Sequence, residues 1–416
     1  MSLALSLRKN FGFALVGNLG YAASQYIILL VFIKLFSTED VGQFIFAGAF
    51  TTPLMMALEM QLRNFYITDQ RDSFRFTDYT GFRIITTCIG VLGLAITAYF
   101  VRLEYFYVIL VVTLIKSFES QLDLLYGVYQ KNHHLDYVAY SRIIRGIVAV
   151  VVVTSLSFIF KDILISLIGY FISWIVLYYF YERKQVVKRG YLRKEDLALV
   201  IPEWRKIKYF VTICTPMFLA IFIDKYYLNY PRLSVEKYFG ISALAIFGSL
   251  LYFKSLGGQC ISSLAQAAIP RMADFVKVNN YKALNKLLFK MMLIGGSIGG
   301  VLTIILCFFG EPILRILYTE EYAKYNDVLI LILLGATVTF SYIFIGTALT
   351  CIRKQWIKLP ISIVSFILLF CLINFTNMEN MLNIALIIFY VELFSLVVYF
   401  IIYFYFISNM KKKDRD

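Results

Sequence analysis

Lys116, Glu119, Asp123, Gly127 and Gln130 follow one another at spacings of three or four residues. On a helix that spacing makes one stripe. The stripe begins directly after "YFYVILVVTLI", a run apolar enough to lie in lipid. A charge at the bilayer centre costs at least about 2.5 kcal/mol, so the stripe must face protein or water. There it can pair charges, pass a proton, hold an ion or grip an anionic solute. After the loop "YQKNHHLD", Arg142 and Arg145 open the next apolar stretch. They return alongside as an antiparallel neighbour, and Glu119 or Asp123 is expected to pair with them.

Other apolar stretches repeat the theme. Asn18, Tyr21 and Gln25 form a polar stripe on the first helix, and Glu59 and Arg63 read as an (i, i+4) pair at the end of the second. Asp224 and Lys225 lie in the seventh span, Lys254 inside the eighth and Glu392 in the twelfth. The plain interpretation is structural salt bridges or snorkelling side chains, and it is preferred for Arg63, Arg142 and Glu59, near the membrane edge. Lys116, Arg145 and Lys254 are expected to line a solute path, where excess positive charge focuses an anion. Gln130, Asn18 and Gln25 join that path, and Arg142 and Arg63 are its further candidates. Asp224, Glu119, Asp123 and Glu59 are the acids available for ion coupling or structural pairing.

These residues need membrane-spanning helices to position them. The 416 residues are 60% hydrophobic and only 16% charged, which excludes an ordinary soluble domain. Apolar runs of about 20 residues, the length that crosses the hydrocarbon core, recur throughout. Roughly twelve spans are expected, at 11–35, 41–62, 79–100, 105–126, 137–160, 162–181, 209–228, 239–268, 291–310, 328–350, 359–376 and 381–407. The fold class is therefore an all-α integral membrane protein. With the N-terminus cytoplasmic, most of the 40 Lys and Arg fall in cytoplasmic connections, as the positive-inside rule requires. The net charge of +14 is then topology, and nucleic acid is not a partner. Residues 182–208 read as a charged cytoplasmic linker between lobes 1–181 and 209–416, the second ending in the basic tail "KKKDRD". A weak internal repeat, "STEDVGQFIFAGAF" from Ser37 and "SVEKYFGISALAIF" from Ser234, supports two parallel six-helix halves.

The six cysteines are scattered, and the two histidines, His133 and His134, are neighbours in a loop. Neither a zinc site nor a disulfide framework is indicated. No G-x-x-x-x-G-K-[ST] sequence occurs, so ATP is not expected as an energy source in that mode, and no cofactor is implied. The loops expected outside are short and lack a second carboxylate cluster, so a membrane-embedded glycosyltransferase or polymerase is disfavoured. The expectation is a transporter and not an enzyme.

"KSFESQLDLLYGVYQ" with "SRIIRG", "FSTEDVGQF" after the first span, "LRNFYITD" after the second, "NYPRL" after the seventh and "AIPRMADF" ending the eighth resemble the Wzx-type polysaccharide flippases. These belong to the multidrug/oligosaccharidyl-lipid/polysaccharide (MOP) exporter superfamily. The resemblance runs along nearly the whole chain, though each motif is degenerate. It implies two six-helix lobes in the V shape of the MATE (multidrug and toxic compound extrusion) transporters. It also implies a substrate, undecaprenyl-diphosphate-linked oligosaccharide, moved to the outer leaflet by alternating access for O-antigen or capsule synthesis. Lys116, Glu119, Asp123, Gly127, Gln130, Arg145, Arg63 and the Pro231-Arg232 pair match the family pattern. A bacterial inner membrane with both termini cytoplasmic follows from the resemblance, as do membrane lipid, a polysaccharide polymerase and a chain-length regulator as partners. A multidrug exporter or a peptidoglycan-precursor flippase of the same superfamily is the alternative. A drug exporter's cargo is more often cationic, which the interior positive charges oppose.

Overall fold

Helices account for all the regular structure in the computed structural model, which describes residues 7–69 and 73–413. The chain divides into two compact units, Met1–Leu233 and Ser234–Asp416. The first contains α1 (Leu7–Leu35), α2 (Thr38–Leu58), α3 (Leu62–Thr68), α4 (Phe76–Val101), α5 (Phe106–Lys131), α6 (Leu135–Phe160), α7 (Ile163–Leu177), α8 (Arg183–Lys188) and most of α9 (Trp204–Phe239). The second contains α10 (Ile241–Lys277), α11 (Tyr281–Leu317), α12 (Glu320–Ala323), α13 (Asn326–Cys351), α14 (Lys358–Phe375) and α15 (Met381–Lys413).

Among the described residues, eleven helical stretches are long and apolar enough to cross a membrane. The remaining span of the sequence reading, 105–126, is α5. It is 26 residues long, but Lys116, Glu119 and Asp123 make it too polar to qualify on composition. Its charges are tolerated because α2, α4 and α7 pack around it. Outward-facing apolar side chains explain where the lipid lies: Ile89, Leu92, Ile96 and Phe100 expose 60% or more of their surface down one side of α4. In water that stripe would be a standing cost of roughly 25 cal/mol per Å²; in hydrocarbon it costs nothing.

Helices α9, α10 and α11, at 36, 37 and 37 residues, run well past the windows 209–228, 239–268 and 291–310. Their extra turns carry sequences such as "PRMADFVK" and "YKALNKLLF". Hydropathy falls there, but helix propensity does not. The repeat is only partly reproduced. Ser37 caps α2, accepting from the Asp40 N–H, whereas Ser234 lies inside α9 and the chain breaks later, at Gly240.

Residues 182–208 are folded onto the first unit. Val186, Leu192 and Leu197 are buried in one cluster with Leu124, Tyr129 and Phe210. The Arg183 guanidinium donates to the Leu197 carbonyl at 2.9 Å, and Lys206 pairs with Asp78 at 3.0 Å. In the second unit α13 is central, packed by α10, α11 and α15.

Candidate functional site

The close approach of α1 to α6 is set by Gly17, where an added Cβ would lie 2.6 Å from the Ala139 Cα. That contact holds the Asn18 side-chain oxygen Oδ1 against the Arg142 guanidinium, which donates to it. At one end of the pair the Asn10 side chain donates to the His133 carbonyl at 2.8 Å and accepts from the Leu135 N–H at 2.9 Å. It thereby caps the start of α6.

Helix α2 ends at Leu58, and Met60 and Gln61 take positive φ values of 47° and 50°, a left-handed kink costly for residues with a Cβ. The chain restarts as α3. This corrects the expected (i, i+4) pairing of Glu59 with Arg63, because the two do not share a helix. Arg63 instead pairs with Asp123 at 2.8 Å and donates to the Gln130 side-chain oxygen Oε1 at 3.0 and 2.6 Å. Gly127 makes room, since a Cβ there would meet the Arg63 side chain at 3.2 Å.

Inside this frame lies a cavity of about 290 Å³. Its lining includes three carboxylates, Glu59, Glu119 and Asp123, and three cations, Lys116, Arg142 and Arg145, with Tyr21, Tyr126, Met55 and Met56 between them. The lining is thus balanced in formal charge and lacks the positive excess that the sequence suggested. Glu119 accepts from the Tyr21 hydroxyl at 2.9 Å, and Gln25 donates to the Tyr170 hydroxyl at 3.0 Å. The expected pairing of Glu119 or Asp123 with Arg142 or Arg145 does not occur among the described residues. Asp123 turns to Arg63, and Arg142 to Asn18.

Arg145 is 3% exposed and sits over the rings of Trp174 and Tyr126, 4.4 and 5.4 Å from their centroids. Its Nε and Nη1 have no hydrogen-bond partner among the described residues. Cation–π contact steadies the charge without consuming its donors. A buried guanidinium beside a cavity with two donors unspent is built to receive acceptor oxygens, and a guanidinium does so bidentately for carboxylate or phosphate.

Several contributors were missed in the sequence reading. Arg83 on α4, wholly buried, donates to the Ser120 hydroxyl at 2.8 Å and leaves Nε and Nη2 without partners among the described residues. It lies within electrostatic reach of Glu59 and Asp123. Its signal was present, an arginine inside "GFRIITTCIG". Glu182, 1% exposed, accepts from Ser141, whose hydroxyl also meets the Tyr126 hydroxyl at 2.7 Å. It was hidden by its place at the edge of a charged connection. Trp174 carried no signal at all.

Eleven of the twelve expected site residues lie in the first unit: Lys116, Arg145, Arg142, Arg63, Gln130, Asn18, Gln25, Glu119, Asp123 and Glu59 between α1 and α6, and Asp224 on α9. Lys254 belongs to the second unit, where it pairs with Glu392 at 2.8 Å, and Glu392 also accepts from the Tyr342 hydroxyl at 2.6 Å. Asp224 pairs with its neighbour Lys225 at 3.3 Å and is half exposed. Among the described residues no group of His, Cys, Asp and Glu is arranged to hold a metal.

Residues 216–376 match the MatE family model. Over 403 residues the chain is 29% identical to the capsular polysaccharide biosynthesis protein CapF of Staphylococcus aureus, covering 95% of this chain and 98% of the relative. The fold matches a multidrug resistance MATE transporter of the MOP superfamily in its inward-facing conformation, with a TM-score of 0.68 at 12% identity over 99% and 97% of the two chains. It also matches a variant of the Vibrio cholerae MATE transporter VcmN (TM-score 0.65, 13% identity, 97% and 96% coverage). A third match is a MOP superfamily transporter from Pyrococcus furiosus, described as having a binding pocket of reversed polarity (0.64, 12%, 96% and 95%). With eleven described helices of membrane length, the chain is a multi-pass integral membrane protein with the MATE fold.

Proposed function

We propose that the protein is a flippase that carries undecaprenyl-diphosphate-linked oligosaccharide units from the cytoplasmic to the outer leaflet of a bacterial plasma membrane. The units would feed the assembly of capsule or a related surface polysaccharide, and movement would be by alternating access with both termini cytoplasmic. The observation that carries this reading is Arg145, buried beside a cavity with donors unspent. A diphosphate offers paired acceptor oxygens on a double negative charge, and burial away from bulk water strengthens each charge-assisted bond. The full-length likeness to a capsular polysaccharide biosynthesis protein points the same way. Lys116 and Arg142 would supply further positive charge. Glu59, Glu119 and Asp123 would offset the charge of these cations without pairing with them directly, and would provide sites for coupled protons. A polymerase and a chain-length regulator would receive the flipped product.

Export of a cationic drug is the second reading, favoured by the three carboxylates in the same lining. One experiment separates the two. In cells lacking the protein, the lipid-linked oligosaccharide should accumulate on the cytoplasmic leaflet. Wild type should restore its outward appearance, and stably expressed Arg145→Met should not. Normal sidedness without the protein, in a strain with no redundant flippase, would reject the flippase and leave drug export.

A further inference from the structure

Arg83 is wholly buried on α4, and its Nη1 donates to the Ser120 hydroxyl at 2.8 Å. Its Nε and Nη2 have no hydrogen-bond partner among the described residues. Those two N–H groups lie along one edge of the guanidinium plane, at the spacing of two carboxylate oxygens. A buried fork left empty costs the desolvation of both donors. Arg83 does not itself line the cavity, but cavity carboxylates stand close to it. Ser120 follows Glu119 directly in α5 and precedes Asp123 by three residues, so the guanidinium touches α5 within one turn of two acids of the lining.

Two of the three cavity carboxylates are engaged, Glu119 by the Tyr21 hydroxyl and Asp123 by Arg63. The third, Glu59, makes no side-chain hydrogen bond or ion pair among the described residues. It caps the C-terminal end of α2, the negative end of the helix dipole, where a carboxylate is disfavoured. The charges acting on it from α5 are Asp123 and Glu119, which repel it, and Lys116, which attracts it; from α4 it feels Arg83, also attractive. Glu59 is thus the acid of the lining that can move without breaking a bond. On the empty fork of Arg83 it would gain two charge-assisted ones.

We propose that Arg83 is a positioning residue that withdraws Glu59 from the cavity when an anionic head group enters, the two closing a bidentate buried ion pair. The proposal rests on the flippase reading, and it resolves the balance of charge in the lining. With Glu59 in place, three cations face three carboxylates, and a diphosphate meets no net attraction. The incoming charge repels Glu59 towards the fork. With Glu59 on Arg83, three cations face two carboxylates, and Arg145 keeps its unspent donors for the phosphate oxygens. Arg83 touches no substrate; it sets the charge of the site through Glu59. Departure of the anion lets Glu59 return and restores the neutral lining.

Native mass spectrometry of the detergent-solubilised full chain tests it with two probes, undecaprenyl diphosphate and undecaprenol, which shares the chain but carries no phosphate. Wild type should prefer the diphosphate. Arg83→Met should weaken diphosphate binding about tenfold and leave undecaprenol within about twofold. Its melting temperature should not fall, because the substitution removes a buried charge that lacks a direct counter-ion. Glu59→Gln removes the charge that has to be withdrawn, so it should bind the diphosphate more tightly than wild type, and adding Arg83→Met to it should change nothing further. A merely structural Arg83 would not show that dependence on Glu59. Three results each overturn the withdrawal and leave the flippase reading standing: Arg83→Met binding the diphosphate as wild type does, an equal loss in the Glu59→Gln background, or Glu59→Gln binding no more tightly than wild type. Wild type binding the two probes alike overturns both.

Discussion

Each of the two units buries charge within membrane-length helices, and they settle it differently. In the second unit Lys254 meets Glu392 at 2.8 Å, and the other carboxylate oxygen takes the Tyr342 hydroxyl at 2.6 Å. One cation is matched by one anion. In the first unit Lys116, Arg63, Arg83, Arg142 and Arg145 face Glu59, Glu119, Asp123 and Glu182. Only Arg63 with Asp123 forms a direct ion pair between these groups among the described residues. Arg83 and Arg145 are left with donors unspent. A closed pair neutralises a charge that folding has buried, whereas an open cluster keeps a capacity that something else must fill. Under the proposed function, this contrast places binding in the first unit and makes the Lys254–Glu392 pair a structural support.

The largest expected effect tests the open side. Arg145→Met should lower outward movement of the lipid-linked oligosaccharide by at least about 100-fold, since two charge-assisted bonds are worth about 1.5–3 kcal/mol each. The melting temperature should stay unchanged or rise, because the substitution removes a buried charge that lacks a direct counter-ion. A fall in melting temperature in step with the loss of transport would make Arg145 a structural prop and erase the contrast. On the closed side, Glu392→Leu strands Lys254 and should destabilise the protein by about 3–5 kcal/mol. Adding Lys254→Met should restore most of that stability, and the double variant should transport normally. If it folds but fails to transport, the second unit's pair belongs to the mechanism as well.

A smaller effect concerns the frame of the first unit. Gly17→Val places methyl groups against the Ala139 backbone, where rotamer change gives no relief. Separating α1 from α6 should cost about 1–3 kcal/mol and carry Asn18 away from Arg142. Accessibility of a cysteine introduced at Asn18 to a thiol reagent would report the separation, with unchanged labelling counting against it.

Much of the first unit's site could be read from sequence because burial of charge in lipid is so costly that a charged stripe in an apolar run has few meanings. Lys116, Glu119, Asp123 and Arg145 announced themselves in this way. The pairings were not legible. Glu59 and Arg63 had ideal helical spacing, but the left-handed turn at Met60 and Gln61 depends on how α3 packs against α4 and α5, a tertiary effect no local pattern records. Arg83 shows the opposite failure, a visible charge whose partners lie 37 residues away at Ser120 and so gave no spacing to recognise. Residues 182–208 looked like a linker because charge dominates their composition. Their buried apolar anchors, Val186, Leu192 and Leu197, are too irregularly spaced to form a periodic signal.

The smallest effect sharpens the closed side. Tyr342 stacks on Tyr399, centroids 5.3 Å apart and 13° from parallel, so its ring is held independently of its hydroxyl. Tyr342→Phe keeps that packing and removes one hydrogen bond to Glu392, which remains paired with Lys254. The loss should be about 1–2 kcal/mol, within the range for a neutral donor to a charged acceptor, and read as a modest drop in melting temperature. In the Lys254→Met/Glu392→Leu background the same substitution should cost far less, because no carboxylate remains to accept the bond. An equal cost in both backgrounds would show that the hydroxyl acts elsewhere and that the Lys254–Glu392–Tyr342 cluster is not a closed set.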